Sequence, residues 1–304
     1  MITVDLEKYG PDAPGGGHIA PHHAREYCGR LARRHYENFT VASLLLPRPL
    51  RQHFYNVYAY CRWADDLADE TGDPARSREL LDWWGRELEA CYQGRTSHPV
   101  FVALAETIEQ FAIPINPLAD LLVAFRQDQE TTRYETHDDV LGYCRNSADP
   151  VGRLVLYLGR CCTPDRAALS DSVCTGLQLA NFCQDVASDF DRGRIYLPQS
   201  ECRRVGYTED DFAARRPSDA FRRLLAGEVD RAESYLRRGW PLVGMVPREF
   251  QLQIALFIRG GLAILDAIRR QDYDVWTARP VVSKMRKLAL LAGTWWRLRR
   301  EGGS

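Results

Sequence analysis

Helical periodicity is the feature of this sequence that most constrains its fold. From His22 onward, apolar residues recur at steps of three and four, and no long segment alternates apolar with polar residues as a half-buried strand would. Breakers such as Gly72-Asp73-Pro74 separate the periodic segments by short linkers. The pattern therefore predicts an all-α protein built from several helices.

The first 21 residues differ from the rest, because they are rich in proline and glycine. They predict a flexible leader over 1–21. The remaining linkers are short and no repeat is visible, so we predict one helical domain over 22–304. Within it we expect a helix over about 50–70 and a long helix over about 165–189. Asp149-Pro150 is expected to kink a helix without ending it.

Composition and charge exclude several classes of protein. The chain has 304 residues, of which 45% are apolar and 27% charged, a balance typical of soluble globular proteins. Its formal net charge is -1 and it has no zinc-finger or RNP signature, so we expect no nucleic-acid partner. Nine cysteines without a C-x-x-C pair indicate reduced thiols. The N-terminus has no signal-peptide pattern and no apolar stretch reaches ~20 residues, so we expect a cytoplasmic protein.

Two carboxylates lie one helical turn apart in the segment 58–70. Asp65 and Asp69 are four residues apart, so on a helix both project from one face. Like charges at this spacing cost about 0.2–0.5 kcal/mol on an isolated helix, and a cation between them removes that cost. Carboxylate oxygens are the ligands that Mg²⁺ prefers, and Arg62 lies one turn earlier, within reach of a phosphate. A solvated acidic face with an internal Arg–Asp pair explains this segment equally well.

A second polar stripe makes the solvated-face explanation weak. Asn181, Asp185 and Asp189 step by four residues, and Gln178 lies one turn before them. Two acidic helices about 120 residues apart can face each other across a helical bundle, and metal sites in bundles are built in that way. The pair of segments, with basic residues beside each, predicts a magnesium and diphosphate site.

At these segments the chain resembles the squalene/phytoene synthase family, over about residues 30–290. The resemblance implies a single-domain isoprenoid-synthase helical bundle with a central cavity. It further implies that two Asp-rich motifs hold Mg²⁺ ions, which bind a prenyl diphosphate and promote its ionisation. By matching position it assigns the metal ligands, with Asp66 and Glu70 as weaker candidates: Asp65, Asp69, Asn181, Asp185 and Asp189.

The resemblance also assigns substrate contacts. Arg62 and Arg194 match diphosphate contacts, and Tyr58 and Tyr143 match tyrosines near the reacting carbocation. The segment from Tyr143 onward resembles a kinked helix along the prenyl channel, and the residues expected to line the cavity are Val151, Gly152 and Gln178. Aromatic faces stabilise cations by about 1–2 kcal/mol each. Further aromatic candidates are Phe39, Tyr60 and Phe182, and core packing is the favoured explanation for each of them taken singly.

The segment 35–47 differs from the family members that condense two prenyl diphosphates. Those members usually have basic and Ser-rich residues here, whereas this chain has Glu37 and Asn38, and Ser43 replaces an aromatic residue. The segment is similar to the hydroxysqualene synthases of bacterial hopanoid pathways. These ionise presqualene diphosphate, and water captures the rearranged cation. A polar Ser43 would admit one water, so hydroxysqualene synthesis from presqualene diphosphate is the expected function.

Two other functions stay open at this point. A condensing enzyme that makes presqualene diphosphate, squalene or phytoene would consume farnesyl or geranylgeranyl diphosphate alone. A non-catalytic assembly partner with the same fold is disfavoured, because it has no reason to keep like charges stacked on two helix faces. The absence of a Gly-rich dinucleotide fingerprint is weak evidence against NADPH.

The last predicted helix, over about 281–300, has six basic residues and no acid, together with Trp295 and Trp296. A basic helix with an aromatic and apolar face suits a membrane interface. Packing of its leucines on the bundle explains the pattern equally well. The expected partners are therefore a prenyl diphosphate, an anionic membrane surface and other squalene-pathway enzymes that receive the product.

Overall fold

The computed structural model describes residues 2–13, 19–35 and 48–301, and sixteen α-helices account for their regular structure. Within these ranges there is no strand, and one isolated parallel bridge joins Arg133 to Ile195. The all-α prediction is therefore confirmed. In chain order the helices are α1 (Ile2–Tyr9), α2 (Pro21–His35), α3 (Arg48–Asp69), α4 (Pro74–Tyr92), α5 (Pro99–Phe111), α6 (Asn116–Gln127), α7 (His137–Ser147), α8 (Asp149–Leu158), α9 (Pro164–Gln184), α10 (Val186–Asp191), α11 (Gln199–Val205), α12 (Glu209–Ala213), α13 (Asp219–Arg238), α14 (Leu242–Met245), α15 (Arg248–Arg270) and α16 (Lys284–Glu301).

The chain divides into two compact units. The first comprises residues 1–130 and 154–160, and the second comprises 131–153 and 161–304. In the first unit, α3 packs against α2, α4, α5 and α6. In the second, α9 packs against α13 and α15, and α15 packs against α16. The single helical domain over 22–304 stays a prediction.

Aromatic side chains fill the core of the first unit. Trp63 stacks on Trp84 with ring centroids 5.3 Å apart, and Tyr60 stacks on Trp84 at 5.9 Å. Tyr60 is fully buried and donates a 2.8 Å hydrogen bond to the carbonyl of Leu118. Of the two explanations that the sequence left open for Tyr60, core packing is the one that the structure supports.

Single residues interrupt two of the expected helices. Ala148 separates α7 from α8, so Asp149-Pro150 begins a new helix and does not merely kink an old one. Pro150 falls in the first turn of α8, where its missing N–H is not needed. Asp185 likewise separates α9 from α10, so the single helix expected over 165–189 is two helices.

The break at Asp185 does not disturb the polar stripe. The Asp185 N–H donates to the carbonyl of Asn181, and the Asp189 N–H donates to the carbonyl of Asp185, both at 2.8 Å. Because these i→i−4 hydrogen bonds persist, the three side chains keep the helical spacing that the sequence predicts.

The prediction of a flexible leader did not include α1. Asp5 in this helix accepts a 2.9 Å hydrogen bond from the hydroxyl of Tyr27, which in turn accepts one from the indole N–H of Trp63. The helix is thus connected to the aromatic core of the first unit through a buried phenol.

All nine cysteines are free thiols, as predicted. Among the described helices, α15 is long and apolar enough to cross a membrane, with a mean hydropathy of 1.4 over its most apolar segment. No continuous apolar run in the sequence marks this helix, because Arg259 and Asp266 interrupt it. Half of that segment is buried within the protein, as is usual for a core helix.

Candidate functional site

Helix α3 positions the first acidic cluster. The guanidinium of Arg62 pairs with Asp65 at 3.0 Å, with Glu70 at 3.4 Å and with Asp66. The Asp66 side chain is 9% exposed, whereas that of Asp65 is 46% exposed and Asp69 is exposed at the end of the helix. The two acids that the spacing predicts as ligands therefore face outward, and Asp66 turns inward.

The electrostatics of this cluster favour a cation. Burial raises the pKa of Asp66 to about 7; the Arg62 guanidinium opposes the shift, and the charges of Glu70 and Asp65 add to it. The buried Oδ1 of Asp66 lies against Nη2 of Arg62. A donor set that offers only carboxylate oxygens fits a hard divalent cation. The inward position of Asp66 is a tertiary feature, since spacing alone does not show which acid turns inward.

The second acidic cluster lies where α9 meets α10. The Asn181 amide donates a 2.7 Å hydrogen bond to Asp185. Arg279 donates to both carboxylate oxygens of Asp185, with its Nη2 3.0 Å from Oδ2, and Gln184 donates to the carbonyl of Pro280. Arg279 was not predicted as a site residue, because no local pattern links it to an acid 94 residues earlier.

Asp189 lies next to a cation and to aromatic faces. Burial raises its pKa to about 7, the Asp185 charge adds to the shift, and neighbouring arginines, Arg194 among them, oppose it. Asp189, Arg194, Phe182 and Tyr196 line one small cavity of the second unit. A turn over 192–194 brings Arg194 there, because its N–H donates to the carbonyl of Asp189 at 2.8 Å.

Four aromatic rings form a cluster beside this cavity. Phe182 stacks on Tyr196 with centroids 3.9 Å apart, and Tyr143 lies 5.5 Å from Tyr196. Tyr134 lies 5.6 Å from both Tyr143 and Tyr196. The structure thus brings together the predicted Tyr143 and Phe182 and adds Tyr134 and Tyr196, which sequence reasoning missed.

A short backbone pairing positions the two added tyrosines. The Ile195 N–H donates to the carbonyl of Thr132, and the Gln199 N–H donates to the carbonyl of Tyr134, both at 2.9 Å. No helical periodicity marks either segment. The sequence offers one local signal: a tyrosine follows an arginine directly in Arg133-Tyr134 and after one residue in Arg194-Ile195-Tyr196.

The other predicted site residues are placed as follows. Tyr58 lies on α3 one turn before Arg62, and partial burial raises its pKa while Arg62 opposes the shift. Val151 is 43% exposed on α8, and Gln178 is half-buried on α9.

A Cβ on Gly152 would lie 2.3 Å from the hydroxyl of Ser170, so glycine permits close packing of α8 on α9. Phe39 and Ser43, with the distinguishing Glu37 and Asn38, lie outside the described residues.

Comparison with known proteins identifies the same family that the sequence resembles. Residues 32–286 match the family model described as squalene/phytoene synthase. Among curated relatives, the chain is 30% identical to the 15-cis-phytoene synthase of Synechococcus elongatus over 280 residues, covering 88% of this chain and 91% of the relative. It is 29% identical to the 15-cis-phytoene synthase of Synechocystis over 97% of this chain and 91% of the relative.

Two solved structures share the isoprenoid-synthase helical fold. The crystal structure of squalene synthase HpnC from Alicyclobacillus acidocaldarius is 47% identical with a TM-score of 0.80, covering 83% of this chain and 95% of that one. A dehydrosqualene synthase in complex with a ligand is 26% identical with a TM-score of 0.82, covering 92% and 98%. The isoprenoid-synthase helical fold implied by the sequence resemblance is therefore confirmed.

Proposed function

Because the chain belongs to the squalene/phytoene synthase family of prenyl-diphosphate enzymes, we propose that it is a hydroxysqualene synthase. It would ionise presqualene diphosphate, and water would capture the rearranged cation to give hydroxysqualene and diphosphate, as a step of squalene and hopanoid biosynthesis. The 47% identity with squalene synthase HpnC supports this member of the family. Glu37, Asn38 and Ser43, which differ from the residues usual in the condensing members of the family, support it as well.

The observation that carries the proposal is the small cavity lined by Asp189, Arg194, Phe182 and Tyr196. Loss of a diphosphate needs positive charge at the leaving group. A metal ion held by a carboxylate can supply that charge, and an arginine supplies it directly. The carbocation left behind needs aromatic faces and little water. All three kinds of group meet at this one point, where the cavity itself has room for about one water molecule.

The donor sets fit a divalent metal, which enzymes of this family use for diphosphate ionisation. We propose Mg²⁺, because Asp65 and Asp69 on α3, and Asn181, Asp185 and Asp189 on α9 and α10, offer only oxygen. Bound Mg²⁺ would neutralise charge that develops on the leaving group. Arg62 and Arg194 would donate to phosphate oxygens, and guanidinium groups are well shaped for that contact.

The remaining residues are proposed to surround the prenyl chain. Tyr58 and Tyr143 would flank the carbocation, and Phe39 and Ser43 would contact the substrate, with Ser43 orienting the water. The other proposed substrate contacts are Val151, Gly152 and Gln178. Exposure of Val151 on α8 leaves its side chain available to an apolar ligand.

The second candidate function is condensation of two prenyl diphosphates. The phytoene synthases among the relatives favour it. Product analysis with presqualene diphosphate and with farnesyl diphosphate as separate substrates tests the two, with Mg²⁺ present and NADPH absent. A hydroxysqualene synthase releases diphosphate from presqualene diphosphate and forms an alcohol that takes one label from ¹⁸O-water.

Other outcomes contradict the proposal. Rapid consumption of farnesyl diphosphate alone, or of geranylgeranyl diphosphate tested in the same way, supports a condensing enzyme. An unlabelled product or a strict need for NADPH supports squalene formation. No turnover of any of the three substrates by folded protein supports the non-catalytic assembly partner.

We also propose that the protein is cytoplasmic and binds the inner face of the cytoplasmic membrane through α16. Thr294 is buried and accepts a 2.9 Å hydrogen bond from Arg259 of α15, so it marks the inward face of the helix. Exposed apolar side chains mark the opposite face: Met285, Leu288, Trp295 and Trp296. Basic residues flank this stripe, which suits an anionic surface. Release at a membrane would help an apolar product pass to other squalene-pathway enzymes.

A further inference from the structure

A group of metal-ligating side chains lies in the second unit, and none of them belongs to either acidic cluster. His137 begins α7, Glu201 lies on α11 and Glu228 lies on α13. The Nε2 atom of His137 is 3.3 Å from Oε1 of Glu228 and 4.0 Å from Oε1 of Glu201. One ligand atom from each of the three residues lies within 4.8 Å of the other two.

One of these groups has a buried polar atom that lacks a hydrogen-bond partner. The Nε2 atom of His137 is buried and makes no hydrogen bond. The Glu228 side chain is 7% exposed, and its Oε1 lies 3.3 Å from that nitrogen. A buried ring nitrogen without a hydrogen bond is costly, and such an atom in a folded protein indicates a missing partner.

Neighbouring arginines orient the ligand atoms of this group but do not lie between them. Arg204 holds Oε2 of Glu201 at 2.7 Å, which leaves Oε1 directed at His137. Burial raises the pKa of Glu228 to about 7, against the charge of Arg231, and lowers the pKa of His137. The imidazole is therefore a neutral ligand near neutral pH, and two carboxylates would balance one dication.

We propose that His137, Glu201 and Glu228 bind a divalent transition metal, with Zn²⁺ the best match to one imidazole and two carboxylates. Bonds of about 2.0–2.2 Å in a tetrahedron place ligand atoms about 3.3–3.6 Å apart. The separation between His137 and Glu228 already meets this, and rotation of the Glu201 side chain would bring its Oε1 closer. A hard cation such as Mg²⁺ favours oxygen donors, so the imidazole discriminates against it.

The metal would act as a clamp between three helices. His137 begins α7, which carries Tyr143, and α11 follows the segment that carries Tyr196. Both tyrosines belong to the aromatic cluster beside the cavity of the second unit. Bound metal would therefore stiffen the framework of that cluster without contacting substrate.

Calorimetric titration of chelator-treated protein with Zn²⁺, in saturating Mg²⁺ to occupy the acidic clusters, tests the site. We expect one Zn²⁺ per chain and a rise in thermal unfolding temperature. Glu228→Gln and His137→Asn should both lose this binding, whereas Glu233→Gln, an equal change of charge further along α13, should keep it. Co²⁺ in place of Zn²⁺ should give visible absorption typical of low coordination number.

The same variants show which results would overturn the zinc site. Equal binding by wild type, Glu228→Gln and Glu233→Gln would overturn it, as would the absence of Zn²⁺ binding under Mg²⁺ saturation. If His137→Asn does not fold, Glu201→Gln replaces it, because Glu201 lies at the edge of the group. Activity is not the readout, so failure here leaves the proposed function untouched.

Discussion

Arg279 neutralises Asp185 across 94 residues of sequence. Its guanidinium donates to both oxygens of the carboxylate, and Asn181 donates to one of the same oxygens. This hydrogen bonding raises the pKa of Arg279. We expect a cation that binds Asp185 to compete with Arg279, whose guanidinium becomes available to a phosphate once it is displaced.

Replacing Arg279 with Gln should make Mg²⁺ easier to bind and catalysis slower. The Arg279 side chain is 55% exposed, so its pairing with Asp185 is worth at most about 1 kcal/mol. The Mg²⁺ concentration for half-maximal rate should then fall about two- to five-fold, while kcat falls because a phosphate donor is lost. Initial rates over a Mg²⁺ series measure both. Arg222→Gln, which removes an exposed pairing elsewhere in the second unit, is the control; an equal Mg²⁺ shift there would contradict the competition.

Asp65→Asn or Asp185→Asn should lower kcat by about 10²–10³-fold with the fold intact, because each removes a charge proposed to hold the metal at the leaving group. Diphosphate release measures kcat, and circular dichroism checks the fold. Removing Mg²⁺ with a chelator should have the same effect. Asp165→Asn, at an exposed acid outside both clusters, should keep full activity. Full activity of either cluster variant at saturating Mg²⁺ would contradict the metal assignment.

Tyr196→Leu should slow turnover by roughly 5–30-fold, because an aromatic face stabilises a cation by about 1–2 kcal/mol. It should also give more alcohols from early water capture, since the ring that stacks on Phe182 is lost. Tyr196→Phe keeps the ring and should retain most of the rate. Gas chromatography identifies the products and a rate assay measures turnover. Equal rates and equal product distributions of Tyr196→Leu and Tyr196→Phe would show that the ring face is not used.

The buried Asp149 should make stability depend on pH. Its Oδ1 accepts a 2.8 Å hydrogen bond from Thr175, and burial raises its pKa to about 7. The folded state therefore binds this proton more tightly than the unfolded state, and its contribution is lost as pH rises through about 7. Asp149→Asn cannot ionise, so relative to wild type it should be more stable at about pH 8 than at about pH 5.

Urea unfolding of wild type and Asp149→Asn at the two pH values measures this difference. Asp165→Asn serves as the exposed control and should show no such change. A difference between Asp149→Asn and wild type that stays constant with pH would show that Asp149 is ionised in the folded protein throughout.

Binding of α16 to anionic liposomes should be weak and salt-sensitive. Deletion of 295–304, or the double change Trp295→Ser and Trp296→Ser, should abolish it, because both remove exposed aromatic side chains. Val123→Ser, at an exposed apolar residue of the first unit, is the matched control. Co-sedimentation at low and high salt measures binding. Equal binding by full-length and truncated protein, or none by either at low salt, would rule out this role.

The sequence by itself determined the features that depend on neighbours along the chain. Helical periodicity predicted the all-α fold, and spacing of four residues placed Asn181, Asp185 and Asp189 on one face even across the break at Asp185. These predictions are reliable because helix geometry fixes which residues three or four apart share a face. The family resemblance also rests on such local segments, and residues 32–286 match the family.

Tertiary structure decided which of these side chains are buried and what they contact. It turned Asp66 inward, placed Tyr60 in a core, brought Tyr196 onto Phe182 and joined Arg279 to Asp185. Each of these relations depends on packing, or joins residues whose separation along the chain leaves no periodic signal. His137, Glu201 and Glu228 come together for the same reason: they lie on three different helices, and only the folded chain brings these side chains to one point.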